Sequence, residues 1–203
     1  MPNEKFKKWV LQEMAPIKMK GDAPFETLEG RSKSKSFIVD DSHKIGQIES
    51  YDVYKHNKLD YILVGKFYDD SVTKEPRFGI IAELSFTTIK VKSDNKIIQG
   101  KDAIKISTIQ VNEVNRKEKI ATSLYVLLLN IGFIVISDGV QYDGAVKLWK
   151  SFAKIDGITV YIWDELQDTI ISKMTSKTHD NSVWSNGDLG DYSKMSTKLI
   201  LVL

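Results

Sequence analysis

The sequence predicts a mixed α/β (α+β) fold in which a mostly antiparallel β-sheet is flanked by helices. The first half of the chain carries successive aromatic and β-branched runs separated by polar loops, a pattern typical of antiparallel strands. The second half alternates strand and helix patterns in the order βαβαβ, which requires some parallel pairing. With 203 residues, of which 42% are hydrophobic, the chain is long enough for one well-filled core.

The N-terminal region is predicted to lie outside this core. Residues Glu4 to Ala15 carry apolar side chains at the spacing of an amphipathic helix, which should end before Pro16. The stretch from Ile17 to Ser36 is rich in Gly, Pro, Ser and Lys and is typical of a long connection. We therefore expect residues 1–35 to form an N-terminal helix and connecting segment, and residues 36–203 to form a single domain.

Four strands are predicted in the first half of the domain, each dominated by aromatic and β-branched residues. They are Phe37–Val39, Ile48–Tyr54, Tyr61–Tyr68 and Phe78–Val91. The polar stretch His56–Lys58 has the composition of a tight turn, and Asp69–Pro76 that of a longer hairpin loop. The first half should therefore be a meander of antiparallel strands.

The second half is predicted to contain the βαβαβ segment followed by a short helix and a last strand. In chain order these elements are strand Ile104–Val114, helix Glu118–Ile131, strand Phe133–Ser137, helix Gln141–Ala153, strand Ile158–Trp163, short helix Glu165–Met174 and strand Leu199–Leu203. A polar stretch, Thr175–Ser196, separates the last two. The final strand should be an edge strand or be inserted between others.

Composition excludes several functional classes. The absence of cysteine excludes disulfides, thiolate metal sites and cysteine nucleophiles, and three scattered histidines lack ligand spacing, so no metal site is expected. A net charge of +2 with only three arginines disfavours specific nucleic-acid recognition. No apolar run reaches the about eighteen residues of a membrane span, and no signal peptide is present, so we expect a cytoplasmic protein without membrane contact.

The junction between strand Ile104–Val114 and the next helix is the segment whose residues predict a binding site. The apolar alternation changes phase within this strand, which predicts a β-bulge near Ser107 or Thr108. The turn that follows, Asn115–Leu124, leads into the helix, and such a turn directs unpaired backbone N–H groups at one point that suits a pyrophosphate. An ordinary turn bearing solvated charges remains the alternative.

The series Arg116-x-x-Lys119-x-Ala121 resembles the coenzyme A signature of the GNAT family of acyl-coenzyme A dependent N-acyltransferases. That signature has Arg or Gln, two residues, Gly, one residue, then Gly or Ala, so Lys119 replaces the first glycine. The resemblance implies binding of acetyl-CoA or another acyl-CoA as cosubstrate. The residues implied in its binding along this turn are Arg116, Lys117, Lys119, Ile120, Ala121, Thr122 and Ser123.

A second segment, Tyr142-x-x-Ala145-x-x-Leu148-Trp149, is similar to the Asn-x-x-Ala-x-x-Leu/Phe-Tyr segment of the same family. The resemblance adds Ala145 and Trp149 to the implied cofactor contacts. In many members the tyrosine protonates the departing thiolate, and the indole of Trp149 has no useful acidity near neutral pH. Candidates for a replacement acid are Tyr142, Tyr161 and Ser137.

The family mechanism implies attack of a neutral amine on the thioester, with the carbonyl oxygen held by a backbone N–H near Val111. Candidate general bases are Glu83, which interrupts an apolar strand, and Glu113, at the strand end; for both, a solvent-facing surface charge is the alternative. The expected partner is an amine-bearing small molecule or protein. Lys119 and Trp149 favour a different function, in which a catalytically inactive, phage-encoded protein of this fold acts by binding a partner. The sequence leaves the oligomeric state open.

Overall fold

The structure, a computed structural model, describes residues 17–19, 32–91, 95–138, 140–174 and 197–203. The predicted helix Glu4–Ala15 and the polar stretch Thr175–Ser196 lie outside the described residues. In the described part of the chain, no helix combines the length and apolar character that crossing a bilayer demands. The architecture is mixed α+β, with many strands, few helices and mostly antiparallel pairing. This confirms the predicted fold class at that level.

The described residues form β-strands along most of their length. The strands are β1 Ile17–Met19, β2 Ser32–Ser34, β3 Ser42–Ile48, β4 Tyr51–His56, β5 Tyr61–Asp69, β6 Pro76–Lys90, β7 Asp102–Val111, β8 Ile134–Ile136, β9 Val140–Tyr142, β10 Thr159–Asp164, β11 Thr169–Lys173 and β12 Thr197–Val202. The helices are α1 Lys35–Asp41, the 3-10 helix Glu113–Glu118, α2 Ile120–Asn130 and α3 Asp143–Phe152.

These elements divide between two compact units. Unit A contains the described residues within Phe25–Thr88 and Ile106–Ile131. Unit B contains those within Met1–Pro24, Ile89–Lys105 and Gly132–Leu203.

Unit A is built on the meander β3-β4-β5-β6, in which each strand is antiparallel to the next. Its core joins Ile38 of α1 to Leu63, Phe78 and Ile80 of the meander. Tyr54 packs edge-on against Phe78 at a ring-centroid distance of 5.4 Å. Aromatic and β-branched residues thus form the strands because they fill one face of the pleated sheet.

Close backbone packing in unit A depends on a glycine in β5. The pairing register between β5 and β6 shifts at Val64 and Gly65, which marks an irregularity in the ladder. A Cβ atom added at Gly65 would lie 2.0 Å from the carbonyl oxygen of Gly79 on the neighbouring strand. Gly65 therefore permits an approach of the two strands that no other residue would allow.

Unit B contains the strand order β11-β10-β12-β8-β7. The pair β7 and β8 is parallel, as the βαβ order predicted, and the other pairs are antiparallel. β12 lies between β10 and β8, so the last predicted strand is inserted rather than at an edge. A separate parallel pair joins β1 to β9.

The apolar core of unit B covers one face of these strands. It is formed by the buried residues Val91, Ile98, Ala103, Ile134, Ile136, Trp163, Ile200 and Val202.

The prediction of a strand at Phe37–Val39 is wrong, because these residues lie in helix α1. The helical turn buries Ile38 completely and packs Phe37 against the same cluster. Tertiary burial of two apolar side chains therefore outweighs their local preference for a strand. The strand that precedes β4 is instead β3, a largely polar segment that lacked a strand pattern in the sequence.

The predicted helix Glu165–Met174 is also wrong, because a turn and strand β11 occupy it. The carboxylate of Asp164 accepts hydrogen bonds from the backbone N–H groups of Leu166 and Gln167, at 3.0 and 3.2 Å. This side-chain turn reverses the chain, and Asp168 at φ 46° completes the reversal. The β-branched run that follows then pairs with β10.

A single strand was predicted over Ile48–Tyr54, and it is divided between β3 and β4. A two-residue turn, Glu49-Ser50, joins the two strands, with Glu49 at φ 51°. The predicted strands Tyr61–Tyr68 and Phe78–Val91 are confirmed within two residues at each end as β5 and β6. No described contact tests the bulge near Ser107 or Thr108, which stays a prediction.

Candidate functional site

The turn after β7 begins with a 3-10 helix, Glu113–Glu118, in unit A. The backbone N–H of Asn112 donates to the carbonyl oxygen of Ile81 on β6 at 2.7 Å. The N–H of Asn115 donates in turn to the carbonyl oxygen of Asn112 at 2.9 Å. The start of the turn is therefore attached to the sheet by backbone hydrogen bonds.

A buried side chain, Asn115, holds the middle of this turn. Its residue is 8% exposed, and its side-chain amide donates to the Tyr51 hydroxyl at 3.2 Å and to Glu118 Oε1 at 3.0 Å. Burial, followed by the hydrogen bond to Glu118, raises the pKa of Tyr51. Tyr51 on β4 and Glu118 thus share one polar network with the turn.

Sequence reasoning missed the role of this network. Asn115 was recognised only as the first residue of the turn, and Tyr51 only as part of a strand. An asparagine at a strand-to-helix junction is a frequent hydrogen-bonding residue, and that signal could have singled out Asn115. Its partner on a strand more than sixty positions earlier has no local signal in the sequence.

The backbone at Lys119 adopts the left-handed conformation, with φ 56° and ψ 25°. Residues other than Gly, Asn and Asp rarely adopt this conformation, because the Cβ atom crowds the following carbonyl. Lys119 occupies the position where the resembled signature has glycine. Lys119 therefore adopts the left-handed conformation that glycine would adopt most easily at this position.

Helix α2 begins directly after this residue. The N–H of Ser123 donates to the carbonyl oxygen of Lys119 at 3.0 Å, a hydrogen bond of the α-helical type. In general, the first N–H groups of a helix lack acceptors within that helix and carry the positive end of the helix dipole. Arg116, Lys117 and Lys119, which precede this helix in the chain, are exposed.

The small residues of the first helical turn are partly accessible, while Ile120 is buried. Ala121, Thr122 and Ser123 are each half-buried, and so is Val111 at the end of β7. Their contacts with a phosphate group stay predictions.

The residues of the second motif belong to unit B, whereas the turn belongs to unit A. Tyr142 ends β9 and precedes α3, and both it and Ala145 are half-buried. Trp149 is 2% exposed and packs edge-on against Phe152 at a centroid distance of 5.9 Å. The indole is therefore a core side chain of unit B, and its predicted cofactor contact is not tested.

The candidate bases differ in their surroundings. Glu83 lies on β6 opposite Leu63, is half-buried and alternates with the buried Ala82 and Leu84. Burial and then the charge of Glu83 raise the pKa of Tyr61. Glu113 is the first residue of the 3-10 helix and is exposed.

The candidate acid Ser137 is engaged in structural hydrogen bonds within unit B. Its hydroxyl donates to the carbonyl oxygen of Asp138 at 2.7 Å and accepts the N–H of Leu199 at 2.8 Å. Ser137 is 1% exposed, so this hydroxyl connects β8 with β12 in the core. Tyr161 is half-buried at the margin of the unit B core.

A charged cluster in unit B was also missed. Lys105 Nζ lies 2.9 and 3.1 Å from the two carboxylate oxygens of Glu165, and Lys198 Nζ lies 4.0 Å from one of them. Lys198 is 5% exposed. The sequence signal was a lysine directly before the apolar run of β12, and this lysine pairs with Trp163 on β10.

Neither a group of metal ligands nor a similarity to known proteins assigns a function to this chain. Among the described residues, His, Asp and Glu side chains form no group of three that could hold a metal ion. No family model, curated protein or solved structure matches this chain.

Proposed function

We propose that this protein is an acyl-CoA dependent N-acyltransferase that transfers an acetyl or other acyl group to an amine of a protein or small molecule. The observation that supports this function best is the left-handed backbone of Lys119 at the signature's glycine position. A lysine in that conformation costs about 1–2 kcal/mol relative to glycine, so the turn is maintained against a local preference. A backbone conformation that persists at this cost is expected where binding depends on the shape of the turn.

The charge around the turn suits a pyrophosphate. Three exposed cations, Arg116, Lys117 and Lys119, directly precede an 11-residue helix in the chain. Backbone N–H groups and the helix dipole attract anions at this position, and the half-buried Ala121 leaves room for close approach. In this proposal the turn binds the pyrophosphate of coenzyme A.

The reaction requires three groups from the protein, namely a donor to the oxyanion, a general base and a general acid. A neutral amine attacks the thioester carbonyl carbon, a backbone N–H near Val111 stabilises the oxyanion, and Glu83 accepts the amine proton directly or through water. The C–N bond forms as the C–S bond breaks, and the thiolate of coenzyme A leaves. Tyr142 is the candidate acid for that thiolate, because a phenol has a proton of useful acidity and the indole of Trp149 has none.

Ligand binding and turnover are tested separately. Acetyl-CoA at about a hundred times its dissociation constant should add about 2.7 kcal/mol to the free energy of unfolding, seen as a rise in Tm. Ala121→Glu should abolish this rise, because a carboxylate would occupy the phosphate position. The matched control is Asn130→Glu, which adds the same charge at the other, exposed end of α2.

Release of free thiol over a panel of amines measures turnover. Release that depends on Glu83 supports the acyltransferase. A Tm unchanged by acetyl-CoA, or one that rises equally in Ala121→Glu, would contradict binding at this turn.

A second function is favoured by the burial of Trp149. The position where the family has its proton-donating tyrosine holds a core indole that is 2% exposed, so no acid is supplied from there. We therefore also propose a non-catalytic protein of this fold that acts by binding a partner. Acetyl-CoA binding or a partner complex without thiol release for any amine would favour this second function.

A further inference from the structure

The turn between β4 and β5 is held by the imidazole of His56, the last residue of β4. Its Nδ1 accepts the backbone N–H of Lys58 at 3.0 Å and that of Leu59 at 2.9 Å. A backbone N–H can only donate, so Nδ1 has a free lone pair and the ring proton is on Nε2. In this conformation of the turn, His56 is therefore the neutral Nε2–H tautomer.

Two other turns among the described residues have the same arrangement, with a carboxylate in place of the imidazole. Between β5 and β6, Asp70 Oδ1 accepts the N–H groups two and three residues ahead of it, at 2.9 and 2.8 Å. Between β10 and β11, Asp164 Oδ1 does the same at 3.0 and 3.2 Å. The three turns thus share one hydrogen-bond pattern and differ in the chemical type of the acceptor.

This difference matters in weak acid, where a carboxylate and an imidazole behave differently. Backbone hydrogen bonds from Thr73 and then Val72 lower the pKa of the Asp70 carboxyl, so it remains an acceptor as the pH falls. Imidazole is the side chain that ordinarily gains its proton between about pH 8 and about pH 5. An imidazolium has two N–H donors and no acceptor, so protonation of His56 removes the acceptor of two backbone N–H groups at once.

The surroundings of His56 do not change this consequence. The residue is 5% exposed, and its ring centroid lies 5.7 Å from that of Phe37 and 4.8 Å from that of Tyr61. An imidazolium has no lone pair with which to accept, whatever charges are near it. The charged and titratable groups on the adjoining elements are Lys33 on β2, Asp41 at the end of α1, His43 on β3, Lys58 in the turn, Tyr61 on β5 and Glu83 on β6.

A second histidine, His43, has the opposite role at the same turn. Its Nδ1 lies 2.7 Å from Oδ1 of Asn57, an oxygen that can only accept, so here Nδ1 donates. Protonation of His43 therefore leaves this hydrogen bond in place. Because His43 is exposed, it is a titrating side chain beside the turn whose charge change should not open it.

We propose that His56 makes the turn between β4 and β5 a pH-sensitive switch, which is closed while the imidazole is neutral and open once it is protonated. The proton from solvent adds to the lone pair of Nδ1, and the N–H groups of Lys58 and Leu59 then donate to water. The turn residues, numbers 57–60, are exposed, so water and protons reach Nδ1 when the turn opens. The switch does not require that acyl-CoA binds to this chain.

Opening of the turn also affects its connection with α1. The backbone N–H of Asn57 donates to the carbonyl oxygen of Asp41, the last residue of α1, at 2.8 Å. Once the turn is released, this hydrogen bond has less support from its neighbours along the chain. We therefore expect the response to acid to include the amide of Asn57.

NMR of the intact protein over a pH series from about 8 to about 5 tests the switch. At neutral pH, the imidazole nitrogen shifts should identify His56 as the Nε2–H tautomer. As His56 titrates, the amide signals of Lys58 and Leu59 should move with the same midpoint. Their protection against hydrogen exchange should fall by about tenfold, the loss expected for hydrogen bonds of ordinary strength. The amides of Val72 and Thr73, which donate to Asp70, should stay unchanged.

His56→Asn separates the acceptor from its titration. The amide oxygen of asparagine replaces Nδ1 at the same distance along the side chain, and it accepts at any pH in this range. In this variant the amides of Lys58 and Leu59 should no longer respond to acid. His43→Asn is the matched control, because it removes the other imidazole at the turn and should leave the response of the wild type intact.

The wild-type protein alone decides the proposal if a variant fails to fold. A His56 that carries its proton on Nδ1 at neutral pH, or that gains no second proton down to about pH 5, would overturn it. So would amides of Lys58 and Leu59 that keep their shifts and protection while His56 titrates. A response that persists in folded His56→Asn, or that disappears in folded His43→Asn, would assign the pH dependence to another group and also exclude the switch.

Discussion

The side-chain amide of Asn115 donates to the Tyr51 hydroxyl at 3.2 Å and so connects the turn after β7 with strand β4. The same amide reaches Glu118 at 3.0 Å, which closes a network inside the 3-10 helix. A turn of exposed basic residues is thus held by one buried polar side chain. The conformation of the candidate phosphate turn depends on a contact that is distant in sequence.

Asn115→Ala should destabilise the fold by about 1–3 kcal/mol, because it leaves buried hydrogen-bonding groups of its partners unsatisfied. Urea unfolding measures the change in the free energy of unfolding. The control Asn130→Ala, at an exposed position, should stay within about 0.5 kcal/mol of wild type. In a Tyr51→Phe background the cost of Asn115→Ala should shrink, and purely additive costs would exclude the coupling.

Lys119→Gly should stabilise the protein by about 0.5–1 kcal/mol. Glycine removes the cost of about 1–2 kcal/mol of the left-handed backbone, and this exceeds the greater freedom of glycine in the unfolded chain. Lys119→Ala is the matched control, since it removes the charge but retains the strained conformation. If both variants have the same free energy of unfolding, the backbone of residue 119 is not strained.

Gly65→Ala should cost about 3 kcal/mol or more, because the added Cβ would meet the Gly79 carbonyl oxygen at 2.0 Å and force two strands apart. Gly144→Ala is the comparison, since nothing lies within 4 Å of a Cβ at that exposed position in α3. There alanine should stabilise by about 0.5–1 kcal/mol through its higher helix propensity. Chemical denaturation of both variants checks the opposite signs.

Lys198 should give the folded state a distinct pH dependence. Its pKa is lowered on folding, so between the folded value and the model value of 10.5 the unfolded chain binds more protons. Stability should therefore rise with pH through that window, and the cost of the buried ammonium is fully present below the folded pKa. Lys198→Met should flatten this rise, whereas Lys147→Met should leave it intact; an unchanged slope in Lys198→Met would contradict the assignment.

Much of the strand framework could be predicted because its residues carry local patterns. The aromatic and β-branched runs of β5 and β6, and the apolar stripe of α2, each match the period of their element. By contrast, Phe37 and Ile38 are helical because a distant cluster buries them, and β3 is a strand because it pairs with β4. Both causes are tertiary contacts, and a short stretch of sequence gives no information about them.

The candidate site divides in the same way. The exposed basic turn before α2 could be located from the spacing of Arg116, Lys119 and Ala121. The left-handed backbone at Lys119 could be anticipated only through the glycine of the resembled signature. The links from Asn115 to Tyr51 and from Lys105 to Glu165 join residues about sixty positions apart, so the sequence alone offered no means of pairing them.

The position of β12 also constrains the order in which unit B can assemble. Since β12 separates β10 from β8, the edges of these two strands that face β12 stay unpaired until a segment about sixty residues downstream of β8 arrives between them. Closing a loop of this length costs conformational entropy before the strands gain their stabilising contacts, and this slows folding. Until then both neighbours present unpaired edges, and this interval is when the chain is most exposed to association with other unfinished copies.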